Sequence, residues 1–388
     1  MAYVNDIPAM TGDGHIDRRS SLSIAFSILK WVLIMLVVAN HFLRNYDVQT
    51  FSDLYTLSDN PLVTKLYHIV YIVIANAEVP GFLAISGYLF FGNGDLSFKN
   101  VRRSLSRRRL TLMYPFFIWN FYAILVALAT VLLGVQPETW SQAWDLVKDW
   151  FKSPQHIVNG VFGITAYFPF NIPLWYIRDL IICMLLSPAL VWCLRKAQWV
   201  TMGILCAFYL AGFVYVTHMW FSEPLFFFTL GMWLRMRDIR DFRIGWKKII
   251  ILFAVFTAII LASYYLPLED GKLWNIVHNS SRIVFLFVAL CAAHEVAAHI
   301  RPDGRAFGVI AFLAGASFFV YVTHHPIMAA TKTAVFSVVR PGSDLAEFWT
   351  LLLAYVVIVA ALTAIYWLIW RYRPTWLKPL LGRAPKRT

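Results

Sequence analysis

Charge and cysteine are both scarce in this chain. Of its 388 residues only 14% are Asp, Glu, Lys or Arg, against 60% hydrophobic, and no polar stretch is large enough to fold alone as a soluble domain. The four cysteines, Cys183, Cys193, Cys206 and Cys291, form no CxxC spacing and fall in apolar runs, so they read as small buried side chains and argue against disulfides or a thiolate metal site. Histidine supplies no metal pattern either. His294-Glu295 is followed by His299 one residue too late for His-Glu-x-x-His, and a step of five puts the two rings off one helix face. Internal repeats and low-complexity segments are absent.

What fills the chain instead is apolar sequence in lengths that cross a bilayer. Hydropathy places spans near 22–43, 66–92, 109–134, 173–195, 198–216, 222–236, 248–266, 278–300, 308–337 and 347–370, ten in all, with 222–236 short for a full crossing. The expectation is an all-α polytopic membrane protein with a tail at 1–21, one membrane domain over 22–370 and a basic tail over 371–388. The first residues are polar, Arg18 and Arg19 precede the first span, and no small-residue cleavage site follows it, so the N-terminus is expected to be retained. The loop at 135–172, with Trp140, Trp144, Trp150 and Phe151, suits a segment lying along the interface.

Charge sign gives the expected orientation. Lys99, Arg102, Arg103, Arg107, Arg108 and Arg109 fall on one side of a ten-span chain, with Arg235 to Lys248 and Arg371 to Arg387, while Asp47, Asp53, Asp59, Glu138, Asp145, Asp149, Glu269 and Asp270 fall on the other. Lysine and arginine accumulate on the cytoplasmic side, so both termini are expected there, in the cell inner membrane. The net charge of +13 is then largely a topology signal, and nucleic acid is not expected as a partner.

Ionisable groups inside the spans are the exceptions that call for a reason, since each costs roughly 2.5–3.5 kcal/mol on insertion scales. Lys30 and His41 are eleven residues apart in the first span, three turns plus about 20°, hence on one helix face and about 16 Å apart along the axis. In the second span Glu78-Val79-Pro80-Gly81 puts a carboxylate beside a proline that removes a helical hydrogen bond, and Gly81 and Gly87 permit close backbone approach. That reads either as a break lining a cavity or as a kinked packing helix with Glu78 paired to a neighbour. Arg178, Asp179, His278, Arg282, His324 and His325 fall at outer or middle depth. They either surround one outward-facing pocket or form structural pairs, Arg178 with Asp179 and Arg282 with Glu78, that hold helices together.

Lys30 and His41, then Val79-Pro80 and Ser86-Gly87-Tyr88, then an arginine-rich loop ending in Tyr114-Pro115, resemble membrane acyltransferase family 3. Pro173-Leu174-Trp175-Tyr176, Phe228-Thr229-Leu230-Gly231-Met232 and Ser317 to His324 match further blocks of that family in order, across nearly the whole chain. One departure is Lys30, where the family usually has arginine; lysine keeps the charge and loses the bidentate fork. The resemblance implies transfer of acetyl or a related short acyl group from cytoplasmic acyl-coenzyme A, a donor substrate and not a bound cofactor, to hydroxyls of surface or exported carbohydrate, with membrane lipid as surroundings.

It also implies a site. Attack of a hydroxyl on a thioester needs a base and oxyanion donors. His41 suits the base, with Lys30, Glu78, Ser86 and His324 as further catalytic candidates; of the two adjacent histidines, facing about 100° apart on a helix, family position favours His324. Trp175, Arg178, Asp179 and Arg282 are the acceptor-side candidates. Arg102, Arg103, Arg107, Arg108 and Arg109 offer phosphate contacts for the donor, although topology alone calls for such a cluster. The donor arm is expected to thread between helices, with a covalent intermediate on His41 or Ser86 as the alternative. Between His41 and Asp47 lie five residues and not the four of the soluble glycerolipid acyltransferase pattern. The competing functional class is a transporter or flippase for a lipid-linked sugar, which also uses polar groups at mid-depth and broken helices.

Overall fold

The structure is a computed structural model that describes residues 18–46, 55–57, 60–66, 77–90, 97–133, 148, 151–164, 169–212, 215–216, 219–265 and 271–382. Eleven helices carry the described fold: α1 Arg18–Phe42, α2 Glu78–Tyr88, α3 Phe98–Leu133, α4 Pro154–Phe162, α5 Trp175–Ala211, α6 Ser222–Met236, α7 Trp246–Tyr265, α8 Gly271–Ala298, α9 Arg305–Val339, α10 Asp344–Tyr372 and α11 Leu377–Leu381. Two minimal antiparallel hairpins cap connections, β1 Arg44–Tyr46 with β2 Tyr55–Leu57, and β3 Tyr215–Val216 with β4 Met219–Trp220. A further helical turn covers 61–66.

Six helical stretches among the described residues are long and apolar enough to cross a membrane: Ser21–Phe42, Phe98–Val126, Ile172–Ala211, Asn275–Ala298, Arg305–Met328 and Asp344–Tyr372. The difference from the expected ten has local causes. Ala197 (φ −150°, ψ 61°) breaks the helical backbone inside α5, where the sequence predicts the junction of two spans. Helix α6 has only 15 residues. In the second span 67–76 lie outside the described residues. Also outside them are most of the N-terminal tail, 383–388 of the C-terminal tail, Asp47, Asp53 and Asp59, and Trp140, Trp144 and Trp150 of the long loop, of which α4 is the helical part and Phe151 is exposed.

Helix α1 packs against α8, α9 and α2, and α2 lies along α6. The α2–α6 crossing is close because two glycines permit it. A Cβ at Gly87 would lie 2.0 Å from the Phe228 carbonyl oxygen, and one at Gly231 would lie 2.0 Å from that of Ala84. Pro80 falls in the first turn of α2, where its missing N–H costs no helical bond, so the described part of this helix starts at Glu78 without a kink. Inside α9, Pro326 does remove a donor and frees the Val322 carbonyl; Asn171 Nδ2, fully buried, donates to that oxygen at 2.9 Å and to the Trp119 carbonyl at 3.0 Å.

One end of the bundle gathers the basic segments. Tyr88 donates its hydroxyl to the Ile239 carbonyl at 2.9 Å while the Arg235 guanidinium lies over its ring. In the 237–245 connection Asp241 binds Arg243, whose guanidinium holds that carboxyl below the usual carboxylate range. The backbone N–H of Phe242 donates to His294 Nδ1 at 3.1 Å, which puts the ring proton on Nε2, 2.9 Å from Ser21 Oγ at the start of α1. His294 is thus a strut between helices.

Candidate functional site

At the opposite end of α1, three histidines meet. The ring of His41 lies 5.4 Å from that of His324 and 5.3 Å from that of His325, centroid to centroid, and the latter two are 6.1 Å apart. Adjacent residues on α9 reach one partner because the His41 ring sits between them. Sequence reasoning chose His324 alone, whereas both rings touch His41.

Backbone contacts fix the state of His324. Its Nδ1 faces the carbonyls of Tyr321 at 2.7 Å and Val320 at 3.2 Å. Carbonyl oxygens only accept, so Nδ1 carries the proton and Nε2 presents a lone pair. That Nε2 is buried and has no hydrogen-bond partner among the described residues. Glu78 is buried at the same end of α1: Asn40, the residue before His41, donates its amide to Glu78 Oε1 at 3.1 Å, and Glu78 Oε2 has no partner among the described residues. His324 Nε2 and Glu78 Oε2 are thus two buried acceptor atoms at this end of α1, each a group that burial makes costly unless something binds to it.

Arg282 is one of the cations of this end, with Lys332, whose ammonium lies over the Phe42 ring, and the partner of Arg282 is not the one that sequence suggested. Arg282 is paired with Glu223 at the start of α6 and touches His278 Nε2 at 3.3 Å, one turn away on α8. Glu78 is within electrostatic reach of both members of that pair. Arg178 and Asp179 do form the expected pair at 2.9 Å, and Arg178 also donates to the carbonyls of Phe162 and Gly163, tying the end of α4 to the start of α5. Trp175 is half-buried against the core, while its neighbour Tyr176 is buried and shares a 3.1 Å hydrogen bond with Ser86.

Lys30 and Ser86 are not at this chamber. They lie deeper along α1 and α2 and line a narrow cleft with Phe82, Ile85, Leu89 and Arg108. Two cations and a serine hydroxyl converge there, with no histidine on the cleft wall. Arg108 is the buried member of the arginine cluster, donating to the Leu89 carbonyl at 2.9 Å beside the Phe90 ring. Arg102 and Arg103 are exposed, and the side chains of Arg107 and Arg109 lie outside the described set.

Asn40, Glu223 and Tyr176 join the site without having been chosen as site residues in the sequence, and His325, named there as a pocket candidate, joins it beside His324. Asn40 adjoins His41 and Tyr176 closes the Pro173 to Tyr176 block, so adjacency could have flagged both. Glu223 opens the 222–236 span next to Pro224, a helix-start signal with a carboxylate at membrane depth.

A multi-pass helical bundle with a buried histidine and carboxylate chamber at one end and a cationic cleft deeper in the same helices defines a membrane protein with an internal polar site. The chain belongs to the acyltransferase 3 family, matching its acyltransferase domain over residues 23–371. A 134-residue stretch is 32% identical to the Succinoglycan biosynthesis protein ExoH of Rhizobium meliloti (strain 1021), covering 34% of this chain and 33% of that protein. The chain thus matches about a third of the length of this relative. No solved structure matches the chain.

Proposed function

We propose that this protein moves a short acyl group, most readily acetyl, from cytoplasmic acyl-coenzyme A to a hydroxyl of an exported or cell-surface polysaccharide or glycolipid. The observation that carries this reading is the pairing of His41 with His324, whose lone-pair nitrogen is buried without a partner among the described residues. A carbohydrate acceptor is also suggested by the printed name of the relative, a protein of succinoglycan biosynthesis.

The topology of this proposal has ten spans in the inner membrane and both termini in the cytoplasm. Its support is that the basic segments meet at one end of the bundle and the histidine chamber lies at the other. Arg102, Arg103, Arg107, Arg108 and Arg109 take the donor phosphates, and Lys30 with Arg108 draws the donor into the inner cleft. The rise from Lys30 to His41, about 16 Å, is comparable with an extended pantetheine arm. A threaded donor needs no covalent intermediate on Ser86.

In the chamber the acceptor oxygen attacks the thioester carbonyl. The C–O bond forms as the C–S bond breaks, the hydroxyl proton passes to imidazole, and the departing thiolate takes up a proton. His41 is the base, with His324 Nε2 as the second acceptor for that proton, a contribution of roughly 10²–10⁴-fold. Glu78 Oε2 accepts from an acceptor hydroxyl, and Arg282 marks the acceptor side. Arg178 and Asp179 fix the chamber wall beside Trp175.

The test is mass analysis of the host's exported glycans with and without the protein. Loss of one acyl substituent with glycan yield unchanged is the expected result; reduced yield with unchanged acylation would instead identify a transporter.

A further inference from the structure

Four consecutive carbonyls of α9, Phe319 to Val322, accept from side chains: Thr323 Oγ1 donates to Phe319 at 2.7 Å, His324 Nδ1 to Val320 and Tyr321, and Asn171 Nδ2 to Val322 at 2.9 Å. Side-chain donors gather where a helix cannot fill its own carbonyls, and Pro326 is the cause here. It has no N–H for the Val322 carbonyl four residues earlier, and a proline ring inside a helix crowds that oxygen. Both site histidines belong to this turn, with His325 directly before the proline. Among the described residues, Asn171 is the donor that reaches these carbonyls from outside α9.

Asn171 is fully buried and is itself held in place. Its backbone N–H donates to Asn120 Oδ1 at 3.3 Å, and Asn120 donates its own amide to the carbonyls of Phe116 at 3.1 Å and Val161 at 3.3 Å. The Asn171 side chain faces the carbonyls of Trp119 and Val322, so it must present nitrogen to both. The short helical turn after it, Ile172–Leu174, receives the Tyr321 hydroxyl on the Pro173 carbonyl. The anchor is thus built on α3 and the approach to α5, and what it grips is the turn of α9 that carries His324.

We infer that Asn171 is a positioning residue for the histidine chamber: it holds the proline turn of α9 in the one arrangement that sets His324 and His325 beside the His41 ring. For its kinetic consequence the inference rests on the acyl-transfer reading above. Asn171 acts through His324 and not on the reacting groups. The Tyr321 carbonyl, which fixes the His324 tautomer, and the Val322 carbonyl, which Asn171 holds, are adjacent in the chain. Without the amide, the Val322 carbonyl is left buried and unpaired, a cost that shifts the turn towards another donor. The Nδ1 contact that leaves the His324 Nε2 lone pair exposed to His41 goes with it.

The test separates a bond from a position, on the full chain. Asn171→Leu keeps the volume and removes both donors, whereas Pro326→Ala returns the N–H that the Val322 carbonyl lacks. Asn171→Leu should lower the rate at which host membranes move radiolabelled acetyl from acetyl-coenzyme A to glycan by roughly 10²-fold, the cost of a misplaced group, with acetyl-coenzyme A binding in lipid nanodiscs as in the parent. Nitrogen NMR on labelled histidine should show the His324 ring, identified as the signal lost in His324→Ala, change from the Nδ1-protonated form to a mixture of tautomers. Adding Pro326→Ala to Asn171→Leu should restore the unfolding midpoint, because the helix then fills its own carbonyl, and leave rate and ring signal altered. Recovery of rate and ring signal together with stability would reduce Asn171 to a structural bond and overturn the proposal, as would a parental rate or tautomer in Asn171→Leu. Where Asn171→Leu fails to fold, Pro326→Ala alone decides: it should fold and transfer slowly with an altered ring signal, and parental values of both overturn the proposal. A parent that moves no label removes the acyl-transfer reading, and the ring signal then decides the role of Asn171 by itself.

Discussion

His324 presents its unprotonated nitrogen, buried and without a partner among the described residues, beside the ring of His41 at 5.4 Å. The Tyr321 and Val320 carbonyls enforce this tautomer by holding the Nδ1 proton. Two imidazoles poised in this way differ in what their loss does. His324→Ala should lower the rate of acyl transfer by roughly 10²-fold or more with donor binding intact, while His325→Ala, which leaves the His41–His324 ring pair in place, should cost less. Single-turnover rates on membrane-embedded protein check this; equal losses from both would show that the histidines act only by packing.

Gly87 and Gly231 test the close crossing that places Glu78. Alanine at either meets a carbonyl oxygen at 2.0 Å, and backbone cannot swing aside. Thermal unfolding in detergent should show a destabilisation of about 1–3 kcal/mol or more for each. Gly203→Ala, with no atom within 4 Å, serves as the control and should be neutral. Parent-like stability of Gly87→Ala would contradict the packing.

Arg178 and Asp179 are buried as a pair, with side chains 7% and 4% exposed. Asp179→Ala leaves a buried guanidinium without its carboxylate, an expected loss of about 3–5 kcal/mol. Replacing both by Met and Leu should recover much of it. If Asp179→Ala is as stable as the parent and yet fails to use acceptor, Asp179 contacts the sugar and is no wall residue.

Orientation is tested by labelling engineered cysteines in a cysteine-free background. Ser106 and Gly342 are both exposed, and under the ten-span topology they face opposite sides. An impermeant maleimide should label Gly342→Cys and spare Ser106→Cys in intact cells. The reverse pattern would place the arginine cluster away from the donor.

How far the sequence carries this account depends on the kind of contact. Hydropathy located α1, α8, α9 and α10 because each is a continuous apolar run, and even the break at Ala197 fell between two predicted spans. Helical periodicity put Lys30 and His41 on one face of α1, and they belong to opposite ends of the same column. Partner choice between distant helices was not legible. Arg282 takes Glu223 and not Glu78, because the glycine crossing sets α6 beside α2 and brings both carboxylates within reach of one cation. Nor does periodicity show that a ring wedged between His324 and His325 touches both, or that one arginine of a cluster, Arg108, turns inward to a carbonyl.

The most direct measurement counts acyl groups per sugar repeat on exported polysaccharide from a host expressing His41→Ala at parental membrane level. The account predicts that the ratio falls to that of a host lacking the protein while polysaccharide yield is unchanged. A parental ratio in the well-expressed variant would contradict the assignment of His41 as the base.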